Sequence, residues 1–154
     1  MAGKDETPSR EGALRATGAA RRLLFVCTHN SARSQIAEGL ARAMAPPEST
    51  IWSAGTHPTK VHPLAIEVMK EIGVDLGGQR SKTLSDVPWN DADTVITLCG
   101  DAAESCPAVA GNVRRLHWPL PDPAAAPKER QLDAFRETRD ELKWRISALL
   151  PRGD

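Results

Sequence analysis

Excess charge of one sign, long apolar runs and cysteines in framework numbers are all missing from this chain of 154 residues. Twenty basic residues balance twenty acidic ones, so the formal net charge is zero and the isoelectric point is 6.9. That balance excludes the basic footprint of a nucleic-acid binder or of a membrane-surface protein. The longest unbroken apolar run, Leu23 to Cys27, falls far short of the roughly 20 residues needed to cross a bilayer. Three cysteines, an odd number without framework spacing, exclude a disulfide-held scaffold and fit a reducing, cytoplasmic compartment. Tyrosine is absent and phenylalanine occurs twice. The opening stretch "MAGKDETPSREGALRATGAA" has no apolar centre of a secretory signal, and its acidic residues argue against an organelle transit peptide.

What is present begins at Arg22. Residues 1–21 read as a flexible tail and 22–151 as a single domain. Strand-like and helix-like patterns alternate along it. "LLFVC", "TIWSAG", "DTVITLCG" and "NVRRLHW" read as four strands. Ser34 to Met44 reads as a helix with Ile36, Ala37, Leu40 and Ala43 on one face. "HPLAIEVMKEIGV" reads as a second helix, with Pro63 in its first turn and Gly73 at its stop. Lys128 to Leu150 carries Leu132, Phe135, Leu142, Ile146 and Leu149 at helical intervals. The alternation predicts an α/β domain: a four-stranded parallel sheet flanked by helices on both sides.

In such a sheet, ligands sit outside the carboxyl ends of the strands. The stretch "VCTHNSARS" leaves the first strand at that edge and opens a helix. A helix N-terminus offers N–H groups and partial positive charge, which suit a tetrahedral oxyanion. Residues Thr28, His29, Asn30, Ser31, Ala32, Arg33 and Ser34 are therefore the candidate oxyanion-binding loop, with Arg33 adding a bidentate fork. Cys27 lies at the bottom of this ring, where the N–H donors and the guanidinium favour its thiolate, the nucleophilic form. Ser34 is placed to donate a hydrogen bond to that sulfur, and Asn30 to pin the loop. Asp122, between Pro121 and Pro123, sits in a rigid loop after the fourth strand and is a candidate general acid. A zinc site is not indicated: Cys99 and Cys106 are seven residues apart, and His57, His62 and His117 show no paired spacing.

A cysteine, five residues and then Arg-Ser near the start of an α/β domain, with Asp-Pro near its end, resembles the low-molecular-weight protein tyrosine phosphatase family. Within it, "LCGDAAESCP" and "HWPLPDP" are similar to the thioredoxin-coupled arsenate reductases. The resemblance implies that Cys27 is the nucleophile, Cys99 the second cysteine and Cys106 the third, with Asp122 as acid. It implies arsenate as substrate, phosphate or sulfate as competing oxyanions, thioredoxin as electron donor and no tightly bound cofactor. Some relatives bind potassium near the cradle. Asn30, Glu38 and Ser53 match that pattern, but Lys82 falls where further acidic help would be sought, so an ammonium is a candidate replacement for the ion. The phosphatases usually carry tyrosine at the cleft mouth, which this chain lacks, although Trp118 is an aromatic substitute.

The two extra cysteines matter to the chemistry. A phosphatase needs one thiolate and a water; it remains the alternative, acting through a phosphocysteine at Cys27. Arsenic(V) can instead take two electrons from thiols, and a relay of thiolate-on-disulfide exchange would use all three sulfurs. If residues 100–106 start as a helix, the Cα atoms of Cys99 and Cys106 would be about 10.5 Å apart at about 1.5 Å rise per residue. A disulfide needs them within roughly 7 Å, so that segment is expected to unwind, with Gly100 and Pro107 as hinges. A non-catalytic anion-binding module is a third alternative, one that would have no need of the Cys27 thiol.

Overall fold

The computed structural model describes residues 19–99 and 113–150. Four strands, β1 (Arg22–Cys27), β2 (Thr50–Gly55), β3 (Thr94–Thr97) and β4 (Arg114–His117), form one sheet in the order β2-β1-β3-β4. All three pairings are parallel, with Cys27 opposite Gly55 at one end and Val26 opposite Thr97. Three α-helices accompany them: α1 (Arg33–Met44), α2 (Pro63–Lys70) and α3 (Lys128–Leu149). The expected α/β class, the four parallel strands and the three helices are all present.

Alternation along β1 divides the interior in two, because successive strand side chains point to opposite faces. Leu23, Phe25 and Cys27 join the larger core with Ile36 and Leu40 of α1, Val68 and Met69 of α2, and Phe135, Leu142 and Ile146 of α3. Full burial of side chains of this size contributes about 1.5–3 kcal/mol each. Leu24 and Val26 face a smaller cluster with Ala54, Val87, Ala92 and Val95. Helices are expected on both faces. Among the described residues, however, this second face is covered by two short 3₁₀ turns, Leu84–Asp86 and Trp89–Asp91, which bring Leu84, Val87 and Trp89 onto it. The connection from β2 to β3 thus serves both faces: α2 packs on the larger core and the turns close the smaller one.

Helix α2 is shorter than its apolar pattern predicts, and the reason is local. Gly73 has a φ of 81°. The Val74 N–H donates to the Met69 carbonyl at 3.0 Å and the Gly73 N–H to that of Lys70 at 3.0 Å. This pair of bonds is the Schellman arrangement, in which glycine takes the left-handed position after a helix. The glycine read as a stop therefore acts as one, with the last turn already unwinding ahead of it.

Candidate active site

The loop from Thr28 to Ala32 joins β1 to α1 and gets its shape from donors elsewhere in the chain. The carbonyl of Thr28 accepts from the His57 N–H at 2.8 Å, that of His29 from Thr59 at 3.2 Å and that of Ser31 from His62 at 3.0 Å. The Asn30 carbonyl accepts from Gln35 Nε2 at 3.1 Å. The Ala32 carbonyl accepts from the Ile36 N–H at 2.9 Å, inside the helix. A trans peptide sets each carbonyl opposite the next N–H. With five successive carbonyls held by partners outside the cleft, the amides that follow them are turned toward it. That orientation suits the loop to an anion, and the helix N-terminus adds to the positive field there.

Asn30 makes the sharp bend. Its φ is 48°, the left-handed region that asparagine tolerates better than most residues. Its amide is fully used. Nδ2 donates to Ser34 Oγ at 2.7 Å and Ser53 Oγ at 2.9 Å, while Oδ1 accepts from Gln35 Nε2 at 2.9 Å and the Lys82 N–H at 2.8 Å. Because Asn30 donates to Ser34 Oγ, the serine hydroxyl hydrogen is left for Cys27 Sγ, 2.9 Å away. Ser34 and Asn30 are fully buried and Cys27 nearly so. The Cys27 sulfur therefore sits at the end of a fixed polar chain.

Arg33 is also buried. Its Nη1 donates to the Leu120 carbonyl at 3.0 Å and the Leu98 carbonyl at 3.3 Å. Its Nη2 lies 3.9 Å from Asp122 Oδ2. Asp122 is not a free turn carboxylate: Oδ1 accepts from the Ala124 N–H at 3.0 Å and caps a 3₁₀ turn, Pro123–Ala125. Its two oxygens thus have separate partners, one holding the loop and one facing the guanidinium. A pocket of about 150 Å³ is lined by Cys27, His29, Ser31, Ala32, Arg33, Thr59, Asp122 and Ala124. Its volume suits a small oxyanion, with the Cys27 sulfur and the Asp122 carboxylate both in its lining.

Cys99 lies just past the end of β3 and is buried, with its Sγ 4.0 Å from Thr28 Oγ1. It shares the sheet edge with Cys27. Cys99 is disulfide-bonded, whereas Cys27 is a free cysteine. Cys106 and the 100–106 segment lie outside the described residues.

Glu38 and Ser53 meet at 2.6 Å, and Ser53 accepts from Asn30, so the three candidate potassium ligands do converge. They do not fit the ion, because Lys82 Nζ stands 3.6 Å from Glu38 Oε1 and 3.4 Å from Ser53 Oγ. Glu38 Oε2 is taken by Arg42 through Nε and Nη2 at 2.9 and 2.6 Å. Burial holds the Lys82 ammonium below the usual lysine range, with Glu38 opposing that shift. Among the described residues, no group of three His, Cys, Asp or Glu side chains is arranged to hold a metal. No helix there is long and apolar enough to cross a membrane.

Sequence reasoning missed Thr59 and Ala124 at the pocket, and Gln35, Ser81 and His62 behind the loop. It also treated Gly55 only as the end of a strand. A Cβ there would fall 2.6 Å from the Thr28 carbonyl oxygen and 2.8 Å from the Asn30 nitrogen. The signal available for Gly55 was its position closing the strand next to β1.

Residues 22–152, which carry this loop and pocket, match the family model described as low molecular weight phosphotyrosine protein phosphatase. The chain belongs to that family. Within it, the chain is 42% identical over 133 residues to an arsenate reductase of Halalkalibacterium halodurans, covering 85% of this chain and 96% of that protein. A solved structure of an arsenate reductase in the phosphate binding state superposes with a TM-score of 0.70 at 33% identity, covering 84% of this chain and 96% of the other. The thioredoxin-dependent arsenate reductase of Corynebacterium glutamicum has a TM-score of 0.67 at 33% identity, covering 90% of this chain and 63% of that one.

Proposed function

We propose that this chain is an arsenate reductase in which Cys27, Cys99 and Cys106 pass two electrons from thioredoxin to arsenic. The Cys27 thiolate attacks arsenate held by the loop amides and Arg33. Asp122 protonates the departing oxygen, which leaves as water, and a Cys27–arsenic bond forms. The Cys99 thiolate then attacks Cys27 sulfur. The electron pair of the sulfur–arsenic bond goes to arsenic, which departs as arsenite, and a Cys27–Cys99 disulfide remains. Cys106 attacks Cys99 and releases Cys27 as thiolate. A dithiol protein of the thioredoxin class then reduces the Cys99–Cys106 bond.

The observation that carries this reading is the pairing of the cradle with Cys99 on one sheet edge, one residue's reach apart at Thr28. The arsenate reductase relatives support the same substrate, and the thioredoxin-dependent neighbour supports the donor. A phosphotyrosine ring would find no Phe, Tyr or Trp side chain among the eight described pocket-lining residues. Lys82 is inferred to supply beside Glu38 and Ser53 the charge that a potassium ion would supply there, which makes the ion dispensable. The test is arsenate-dependent NADPH oxidation with thioredoxin and its reductase. The intact chain is expected to turn over repeatedly; hydrolysis of an aryl phosphate with no arsenate-dependent oxidation would overturn the proposal.

A further inference from the structure

We propose that His62 is a positioning residue that holds the oxyanion loop in shape while its imidazole is neutral and releases it when the imidazole gains a proton. The inference rests on the reading of the Cys27–Asp122 pocket as the oxyanion site.

His62 joins three parts of the molecule. Its backbone N–H donates to the Ser31 carbonyl of the loop at 3.0 Å. Its carbonyl accepts from the Ala65 and Ile66 N–H groups and starts α2. Its ring Nδ1 accepts from the Leu64 N–H at 3.0 Å, so the side chain is itself the N-cap of that helix. The ring centroid also lies 4.7 Å from that of Phe135 on α3.

A histidine makes a cap only through an unprotonated ring nitrogen. The bond from Leu64 therefore places the neutral ring's hydrogen on Nε2. Adding a second proton puts an N–H at Nδ1 facing another N–H, at the positive end of a helix, and the cap is lost. Loss of the cap frees the residue whose backbone holds Ser31.

The groups around the ring can be named. Asp122 favours the imidazolium and Lys60 opposes it, and α3 presents Phe135. Burial is the largest influence and holds the imidazole below its ordinary value, which keeps the cap in place near neutral pH. Protonation would thus act against the shape of the loop.

The test uses inorganic phosphate as probe and alkylation of Cys27 in the intact chain, followed by mass spectrometry of the Cys27 peptide. Phosphate protection is titrated at about pH 7.5 and about pH 5.5 in the native chain, His62→Asn and His62→Ala. Asparagine is among the best N-cap residues and has no proton to gain, whereas alanine cannot cap. The native chain should lose roughly fivefold more phosphate affinity on acidification than His62→Asn, the equilibrium equivalent of one helix cap. His62→Ala should be weak by a similar factor at both pH values, and His62→Asn should restore the pH 7.5 affinity. Equal pH dependence in the native chain and His62→Asn would overturn the role of His62. Absence of phosphate protection in every variant would instead overturn the pocket reading on which it rests.

Discussion

Gly55→Ala isolates the packing that shapes the cradle, because it adds one methyl and changes no charge. The new Cβ would sit 2.6 Å from the Thr28 carbonyl oxygen and 2.8 Å from the Asn30 nitrogen. Both are backbone atoms, so no rotamer change relieves the clash. Ordinary contact begins at 3.4 Å, so the strand end and the loop must part by about 0.8 Å. Gly55 cannot easily retreat, because its N–H donates to the Lys82 carbonyl at 2.9 Å and it bridges to Thr83. The loop is therefore the part expected to move. Overpacking of this kind costs about 1–3 kcal/mol, and a displacement near 1 Å at a reacting centre costs about 10²-fold in rate. Denaturant unfolding, arsenate turnover and phosphate protection of Cys27 measure the three consequences. A folded Gly55→Ala protein with native turnover and phosphate affinity would refute the claim that this close approach sets the cradle.

Four further outcomes follow from the same geometry. Asp122→Asn should lower arsenate turnover by about 10²–10⁴-fold, the usual contribution of general acid catalysis, while single-site phosphate protection of Cys27 survives; native turnover in this variant would remove Asp122 as the acid. Replacing sodium by potassium at constant ionic strength should leave turnover of the native chain unchanged, and Lys82→Met should lower it by leaving the buried Glu38 carboxylate with one cation fewer. Glu71 is held down to about 2 by its hydrogen bonds to Arg136 and Arg139. Its link from the end of α2 to α3 should stabilise the chain above the ordinary carboxylate value of 4.5 and be lost as pH falls through about 2; thermal melts of the native chain and Glu71→Gln should therefore converge at the acid end. Burial keeps the folded-state His62 below its ordinary 6.5, so its contribution is complete above that value and is lost as pH falls through the lowered one; melts of His62→Asn should lack this loss.

The parts of the site legible in the sequence are those whose neighbours in space are neighbours in the chain. Cys27, Arg33 and Ser34 stand out because strand, loop and helix follow one another within a dozen residues. The brace behind them is different. Thr28, His29 and Ser31 are held by His57, Thr59 and His62, and the register of those contacts depends on how the chain leaves β2. Asn30 was read as a pin, yet its four partners include Ser53 and Lys82, reached only through the sheet. The need for glycine at position 55 comes from atoms 25 and more residues earlier. The apolar pattern of "HPLAIEVMKEIGV" fixed the identity of α2 but hid where its last turn unwinds, since Ile72 is apolar for packing and not for helix length. Leu84, Val87 and Trp89 were not singled out for a related reason: among the described residues they reach the second sheet face from 3₁₀ turns too short to leave a helical period.

The relay itself is tested most directly by one turnover of Cys106→Ser with excess arsenate, starting from fully reduced protein and without thioredoxin. One arsenite per chain, released together with a Cys27–Cys99 disulfide identified by peptide mass spectrometry, is the predicted result. Continued arsenite release beyond one per chain, or a Cys27 that ends the reaction free while Cys99 stays reduced, would contradict it.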